Sequence, residues 1–504
     1  MPVIPYDQKQ LMVLPYDLNE WATLKHPARL ISDIIDRADT SSFRTVKPDG
    51  RPCYNAKLLL KIIIWGYANA VRASRKIEAH LSSDVIFMWL AGLLKPDFRT
   101  ICTFRRHNEA AIDKLFLHVL LVVKELGLRC LGVIALDGTK IRASAGINSF
   151  KKKSEWRKEL ARLKEEVGQA LAEAEALDQA QDRQYGSDRR GDEVPDELQD
   201  KQQRIEQIEL LLKVVEEVTD ENTLVSTTDA DARFMHTSSG SMPAYNVQLA
   251  VSADQIIVHA DVTTEPVDVN QVIPALNGIE QNCGAPPAKL LADTGYSGGK
   301  NLRELEARAI DAYIPESAEK HIGQRRLRDP QLFSKAEFRY AAEQDCYHCP
   351  AGERLAFVRK AKPRGKYSQR ELLVYRAAKG VCLKCPLKAQ CTRTESRLGR
   401  SVTRDGYEAE RERMRQKLDT EAGKKVYGQR KCLSEPTNGQ IKVVNGLRQF
   451  LLRGKAGVRV ETKWTVLTHN LLKVVRRMLG NDLRPAWGIG GSDAARLPIC
   501  AAGT

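Results

Sequence analysis

The sequence lacks a long apolar segment. No run of eighteen apolar residues occurs in its 504 residues, which excludes an ordinary membrane-spanning helix. The first ten residues also lack a basic stretch followed by an apolar one, so we expect no signal peptide. These absences predict a cytoplasmic protein with no membrane partner, whose eleven cysteines are reduced.

Acidic residues are too few to balance the basic ones, and the formal net charge is +15. Such an excess favours a polyanionic partner, with nucleic acid ahead of an acidic membrane. The charge is unevenly spread, because residues 421–480 contain thirteen Lys and Arg against three Asp and Glu. The length of the chain predicts two to four domains rather than a single core.

Two apolar, strand-like runs each lead to an aspartate. The first precedes Asp137, which Gly138 follows, and the second precedes Asp293. A buried strand that ends in a carboxylate is a common way to place a metal ligand on a rigid element. The alternative interpretation of Asp137 is a carboxylate that caps a turn at Asp-Gly.

A third carboxylate, Glu435, lies in the basic segment and is surrounded there by cations. Lys442 follows it by two helical turns and shares its face, whereas Arg430, five residues earlier, does not quite. A carboxylate and cations on one surface suit a site for a metal ion and a phosphate. An ordinary solvated helix face is the alternative.

The three carboxylates together predict a two-metal site. Such a triad can hold two divalent ions about 3.5–4 Å apart, one activating the attacking oxygen and one stabilising the leaving oxygen. Oxygen ligands favour Mg²⁺, with Mn²⁺ as a substitute. The substrate of that chemistry is a phosphodiester, and its backbone would lie on the basic surface beside Glu435.

Five of the cysteines cluster in one region and form two C-x-x-C pairs with one cysteine after them. In a reduced protein this pattern is typical of a structural, tetrahedral Zn²⁺ site, and the fifth cysteine leaves the choice of ligands open. Reduced, buried cysteines without a metal are the alternative. His469, in an apolar helical segment, is interpreted as structural. The candidate zinc ligands are Cys346, Cys349, Cys382, Cys385 and Cys391.

The N-terminal and middle regions have helical apolar spacing. Short helices, a break at residues 96–97 and a basic helix with Arg105 and Arg106 predict a helix-turn-helix-like, DNA-binding module. A plain helical bundle with a basic rim is the alternative. Residues 151–219 predict an antiparallel helical hairpin with a flexible tip (181–200), which serves as a protruding arm or a dimer contact.

These motifs resemble those of bacterial insertion-sequence transposases of the DDE type. The stretch from Tyr427 to Lys442 is spaced Tyr-x2-Arg-x4-Glu-x6-Lys and is similar to their Tyr-Arg-Glu-Lys signature, whose commonest form has three residues between Arg and Glu. The residues around Asp137 and Asp293 resemble the first and second aspartate motifs of that family. The resemblance extends over about residues 20–475.

The resemblance implies a ribonuclease H-like, mixed-sheet α/β core in which Asp137, Asp293 and Glu435 bind Mg²⁺ or Mn²⁺. It implies hydrolytic nicking at terminal inverted repeats of double-stranded DNA, followed by attack of the freed 3′-OH on target DNA. Because two DNA ends must be handled together, the resemblance also implies a homodimer or larger assembly on DNA. We expect this assembly to be associated with the nucleoid. The residues expected to contact DNA are Tyr427, Arg430, Lys431, Lys442, Arg105 and Arg106.

Two other functions remain open at this point: a non-catalytic, zinc-dependent DNA-binding protein, and a stand-alone metal-dependent nuclease that does not join strands. The predicted domains are a helical DNA-binding domain (1–125), a catalytic core (126–150 and 220–316), an inserted helical hairpin (151–219), a Cys-rich insertion (317–426), a segment with the catalytic helix and C-terminal helices of the core (427–480) and a disordered tail (481–504).

Overall fold

The structure is a computed structural model. It describes residues 17–45, 53–185, 196–218, 220–237, 240–316, 332–361, 371–393 and 398–480. Half of the predicted hairpin tip, residues 186–195, and the whole of the predicted tail lie outside these ranges. Among the described residues, no helix is both long enough and apolar enough to cross a membrane.

The N-terminal region is helical, as predicted. Asn55 caps the second helix by accepting a hydrogen bond from the Lys57 amide, and nearly every residue of that helix from Leu59 onward is buried. Such burial makes it the centre of the region, with the other helices packed around it. The helices are α1 (Pro27–Arg37), α2 (Ala56–Ala68), α3 (Ser74–His80), α4 (Val85–Leu90), α5 (Phe98–His107) and α6 (Glu109–Glu125).

A mixed, six-stranded sheet forms the centre of the protein. Its strands are β1 (Val133–Arg142), β4 (Arg233–Thr237), β5 (Gly240–Ser252), β6 (Ile257–Thr263), β7 (Lys289–Ala292) and β8 (Asp311–Tyr313). β5 pairs antiparallel with β1 on one side and with β4 and β6 on the other. The alternating run from Tyr245 and the run from Gln255, joined by a short turn at 252–254, predict a β-hairpin, and β5 and β6 confirm it. β7 runs parallel to β1, and β8 parallel to β7. Helices α9 (Val272–Cys283) and α10 (Gly299–Ala307) make the crossovers that parallel strands require.

The prediction that the first strand ends at Asp137 is wrong. β1 continues to Arg142, because residues beyond Asp137 still pair with β5. Its other neighbour stops earlier, since Ala292, the last residue of β7, lies opposite Leu136. Asp137 therefore stands in the middle of its own strand, at the point where the adjacent strand ends.

Two long helices follow the sheet in the sequence. α13 (Glu421–Gly439) carries Glu435 and contains Pro436, and a π-helical turn continues it over Gln440–Val444. The Cys432 carbonyl of α13 accepts a hydrogen bond from the Gln255 side chain at 3.3 Å. α14 (Gly454–Met478) is largely buried and packs against α2, α6 and β6. It joins the N-terminal helices to the sheet.

The remaining elements form two smaller units. Helices α7 (Lys153–Tyr185) and α8 (Asp196–Val214) pack as a hairpin on their own apolar cluster, and β2 (Phe150–Lys152) pairs with β3 (Leu224–Ser226) at its base. A five-stranded antiparallel sheet carries the cysteine-rich region. It consists of β9 (Arg339–Ala341), β10 (Cys346–His348), β11 (Arg354–Ala361), β12 (Leu372–Ala377) and β13 (Ser401–Asp405), with helices α11 (Lys388–Cys391) and α12 (Glu408–Asp419) after β12 and β13.

Candidate active site

Asp137 faces one side of helix α13. Its Oδ2 accepts a hydrogen bond from Asn438 Nδ2 at 2.8 Å, and its Oδ1 lies 3.6 Å from Arg430 Nη1. Ser434 lies between these two residues on the helix, and its hydroxyl donates a hydrogen bond to the Arg430 carbonyl at 3.1 Å. The three residues are four apart along α13, so they form one stripe on the helix. The stripe holds the Asp137 carboxylate against α13.

The electrostatic surroundings of Asp137 disfavour its charge. Burial is the main cause that raises the pKa of this carboxyl, and the neighbouring Asp293 and Asp268 carboxylates raise it further. The Arg430 guanidinium opposes them, but the pKa remains above its ordinary value. Additional positive charge at this position would favour the ionised form.

Asp293 lies beside Asp137, as the two apolar runs predicted. It follows Ala292 directly, and Ala292 is in register with Leu136, so the two aspartates occupy corresponding positions on neighbouring strands. Asp293 Oδ1 accepts a hydrogen bond from the Gly295 amide at 2.8 Å. We call Asp137, Asp293 and the facing stripe of α13 the aspartate site.

Glu435 is exposed and stands apart from the aspartates. It follows Ser434 on α13, and among the described residues it has no hydrogen-bond or ion-pair partner. Within the described ranges, no three His, Cys, Asp or Glu side chains are grouped closely enough to hold a metal ion. The predicted convergence of all three carboxylates therefore stays a prediction, while the approach of the two aspartates is observed.

The other residues of the signature stretch border the same site. Tyr427 is half-buried, and burial raises its pKa, with Arg430 opposing this and the two aspartates adding to it. Lys442 lies in the π-helical turn, where burial lowers its pKa and Asp137 counteracts the effect. Lys431 is exposed. The predicted cations thus lie at the aspartate site or on its open side.

The prediction that Arg105 contacts DNA is not compatible with its position. This side chain is only 2 % exposed, and it donates hydrogen bonds to the Arg72 carbonyl and to Ser74. The helical spacing that places Arg105 beside Arg106 turns it towards the interior, whereas Arg106 is exposed. Only Arg106 of this pair is available to a ligand.

The sequence analysis missed Asp268, which precedes α9. Its Oδ1 accepts hydrogen bonds from Asn246 Nδ2 and Gln248 Nε2, both at 2.7 Å, and lies 3.4 Å from Lys140 Nζ. The available signal was the pair of polar residues in the otherwise apolar strand β5. Buried amides need hydrogen-bond partners, but the sequence does not show that the partner comes from a loop further along the chain.

Four of the five clustered cysteines line one small cavity. They are Cys349, Cys382, Cys385 and Cys391, which we call the cysteine cluster. Burial raises the pKa of Cys391, and the other three sulfurs add to this rise while Arg400 opposes it. The fifth, Cys346, is fully buried in β10, with its sulfur 3.7 Å from His348 Nε2, and does not line the cavity.

Comparison with protein families provides the assignment. Residues 348–475 match the family model described as "Transposase DDE domain", and residues 16–107 match the one described as "Transposase domain (DUF772)". Both matches are to transposase families, and together they support an insertion-sequence DDE transposase. Comparisons with curated proteins and with solved structures gave no match. The first match includes the cysteine cluster, α13 and most of α14, and the second includes α1 to α5.

A transposase acts on DNA, and DDE transposases generally use divalent metal ions. The net charge of +15 and the cations beside α13 are in accord with a DNA substrate. Carboxylate oxygens are the ligands that Mg²⁺ and Mn²⁺ prefer. The donor types of the aspartate site therefore fit such an ion.

Proposed function

We propose that this transposase cleaves the ends of an insertion sequence and joins them to target DNA by phosphoryl transfer. The observation that carries the proposal is the pairing of Asp137 and Asp293 where strand β7 ends, facing the helix of the signature stretch. Residues from three distant parts of the sequence meet there. A carboxylate pair beside a strongly basic segment suits a site that binds a phosphodiester together with a cation.

The sheet supports a ribonuclease H-like core as the scaffold. In it, an antiparallel half made of β6, β5 and β1 adjoins a parallel half made of β1, β7 and β8. Such a mixed sheet presents the carboxyl ends of its parallel strands at one edge, where ligands of α/β proteins commonly bind. Asp293 follows its strand at this edge.

Asp137 and Asp293 would hold Mg²⁺ or Mn²⁺ together with Glu435. A pair of such ions activates the attacking oxygen and stabilises the leaving one during in-line displacement. The raised pKa of Asp137 is consistent with a carboxylate that lacks a cationic partner strong enough to offset burial. Glu435, exposed on α13 next to the stripe, would complete the set once DNA covers the site.

The cations of α13 would hold the DNA backbone. Arg430 lies between Tyr427 and Asp137, so its guanidinium can neutralise the carboxylate before DNA binds and contact a phosphate afterwards. Lys442 and Lys431 extend the positive surface beyond it. Arg106 would serve the N-terminal helices in the same way, at a second stretch of DNA.

The cysteine cluster would hold a structural Zn²⁺. Four cysteines line one cavity, and four is the ligand number of a closed, tetrahedral zinc site, which leaves no position for catalysis. The sulfurs would have to move closer together to bind the ion, since no three of them are grouped closely enough in the described structure. Cys346 is outside this set. The predicted domain limits and an assembly of two or more chains on DNA also belong to the proposal, since both ends of an element must be handled together.

The experiment that tests the proposal is a cleavage assay on the DNA that flanks the gene, with Mg²⁺ or Mn²⁺. We expect nicks at the terminal inverted repeats and strand-transfer products from the wild type, and neither from Asp137→Asn or Asp293→Asn. Asp254→Asn, in the turn between β5 and β6 where it pairs with Arg129, is the matched control and should retain activity. Cleavage without joining would indicate a nuclease, and binding without cleavage a non-catalytic protein.

A further inference from the structure

Asp268 supports the aspartate site from the opposite face of the sheet. Alternation along β1 turns neighbouring side chains to opposite faces. Ala135, two residues before Asp137, packs with Leu433 of α13, whereas Leu136 packs in the core that includes α9. Asp137 therefore faces α13, and position 138 faces the side from which Asp268 approaches.

Two glycines make room for the Asp268 carboxylate. A Cβ atom at Gly138 would lie 2.5 Å from Asp268 Oδ1 and 2.8 Å from Gln248 Nε2. A Cβ atom at Gly295 would lie 2.9 Å from Asp293 Oδ1 and 3.3 Å from Asp268 Oδ2. Each aspartate motif thus contains a glycine that leaves room for the Asp268 carboxylate, because glycine has no Cβ atom.

A chain of hydrogen bonds connects Asp268 to the loop that carries Asp293. Gln248 donates to Asp268 through Nε2, and its Oε1 accepts from the buried Tyr296 hydroxyl at 2.5 Å. The Asn301 side-chain amide donates both to the Val269 carbonyl at 2.6 Å and to the Tyr296 carbonyl at 3.0 Å. The orientation of the Gln248 amide, and through it that of the Asp293 loop, is set by the acceptor at position 268.

We propose that Asp268 is a positioning residue of the aspartate site: by occupying the space left by Gly138 and Gly295, it holds the backbone of both aspartate motifs in the geometry that binds the divalent ion. The inference rests on the proposed function and adds a residue to it. Asp268 acts through hydrogen bonds to Asn246 and Gln248, and it does not itself coordinate the cation.

The test measures Mn²⁺ affinity by calorimetry without DNA, together with thermal unfolding without cation. Asp268→Ala should weaken Mn²⁺ binding by roughly 10–100-fold, as the loss of an outer partner of a metal ligand does. Asp268→Asn should remain within about threefold of the wild type, because its amide oxygen can still accept both hydrogen bonds. Asp254→Ala, which removes another carboxylate with several hydrogen bonds, those to Arg129 in the turn between β5 and β6, should have wild-type affinity.

Wild-type affinity in Asp268→Ala overturns the inference, and so does an Asp268→Asn variant that binds as weakly as Asp268→Ala, since only a direct ligand requires the charge. A wild type that binds no Mn²⁺ overturns the proposed function itself, so the two failures are distinguishable. If Asp268→Ala does not fold, Gly138→Ala provides the test. Its added methyl group pushes the Asp268 carboxylate out of place, while Asp268 itself is still present in the protein.

The double variant gives the sharpest readout. If Gly138→Ala weakens Mn²⁺ binding chiefly by pushing Asp268 away, its effect should be clearly smaller in the Asp268→Ala background, where only the contacts of the methyl group with Gln248 and Asn246 remain. Residues in direct contact show such non-additivity, while independent sites add. Additive losses would show that Gly138 and Asp268 act separately, against the inference.

Discussion

The aspartate site and the cysteine cluster are both predicted to bind metal ions, yet they are built differently. The aspartate site joins strands and a helix that are far apart in the sequence, over an apolar layer of Ala135, Leu291 and Leu433. The cysteine cluster takes its four sulfurs from residues 349–391 beside a small sheet. The first is held by the protein core, whereas the second packs on a smaller apolar cluster, to which a bound zinc ion would add a cross-link.

The largest expected effect concerns the cysteine cluster. Cys382→Ser should abolish zinc retention and lower the thermal stability of the small sheet, because a structural zinc contributes roughly 10–16 kcal/mol to folding. Cys346→Ser is the matched control and should retain zinc, since Cys346 lies outside the cluster. Zinc content by atomic emission, with unfolding curves in the presence and absence of a chelator, measures both. Equal zinc content in Cys382→Ser and Cys346→Ser would contradict the prediction that Cys382 binds zinc and Cys346 does not.

The second effect concerns Glu435, which belongs to the aspartate site only by proposal. Glu435→Gln should reduce DNA cleavage by at least roughly a thousandfold, because a lost metal ligand removes several kcal/mol of transition-state stabilisation. Its unfolding temperature should equal that of the wild type, since the side chain is exposed. Cleavage at the wild-type rate would remove Glu435 from the proposed site and leave Asp137 and Asp293 as its carboxylates.

A smaller effect is expected for Lys442, on the phosphate side of the aspartate site. Lys442→Gln should reduce the slope of log binding constant against log salt concentration by about 0.9, the contribution of one phosphate contact. Lys213→Gln removes the same charge from an exposed position on α8 and should leave the slope unchanged. Fluorescence anisotropy over a salt series measures both. If Lys442→Gln has the same slope as the wild type, Lys442 does not contact a phosphate.

The smallest effect concerns the core that supports the aspartate site. Burial lowers the pKa of His469 to about 3, from 6.5, and its Nε2 lies 2.9 Å from the Gln255 carbonyl. Below about pH 6.5 the His469 imidazole is protonated in the unfolded chain but stays neutral in the folded protein. The free energy of unfolding therefore decreases as the pH falls. Between pH 7 and pH 5 the wild type should lose about 2 kcal/mol more than His469→Gln.

Urea unfolding at the two pH values measures this difference, and His469→Gln retains a donor for the Gln255 carbonyl. An equal loss in both proteins would mean that His469 does not titrate in this range. At each pH, zinc retention should be the same in the wild type and in His469→Gln, because the cysteine cluster lies outside this core and thiolate protonation affects both proteins equally. A greater loss of zinc from the wild type than from His469→Gln would show that the two regions unfold together.

The parts of the fold that could be predicted from the sequence are those that short-range patterns of apolar and polar residues determine. Apolar runs before Asp137 and Asp293 indicated two strands, and β1 and β7 are found at these places. The helical N-terminal region and the hairpin of β5 and β6 followed from periodicity in the same way. None of these conclusions needed knowledge of a contact between distant residues.

The parts that could not be predicted depend on such contacts. Arg105 carries the same charge as Arg106, and only the packing of α5 on α3 decides that it is buried. Cys346 belongs to a C-x-x-C pair, but strand pairing in β10 removes it from the cluster. Asp268 belongs to no motif, because its partners on β5 come from an earlier part of the chain.

Pro436 lies one residue after Glu435, and it has no amide hydrogen to offer the Cys432 carbonyl one turn earlier. Gln255 fills that vacancy, and so ties the helix to the loop between β5 and β6. The backbone around Glu435 is thus anchored from outside while its internal ladder is interrupted. A small movement of this segment towards the aspartates would be a rotation about the hydrogen bond between Gln255 and the Cys432 carbonyl. Because the helix already lacks one backbone hydrogen bond here, the movement would break fewer of them than in a continuous helix.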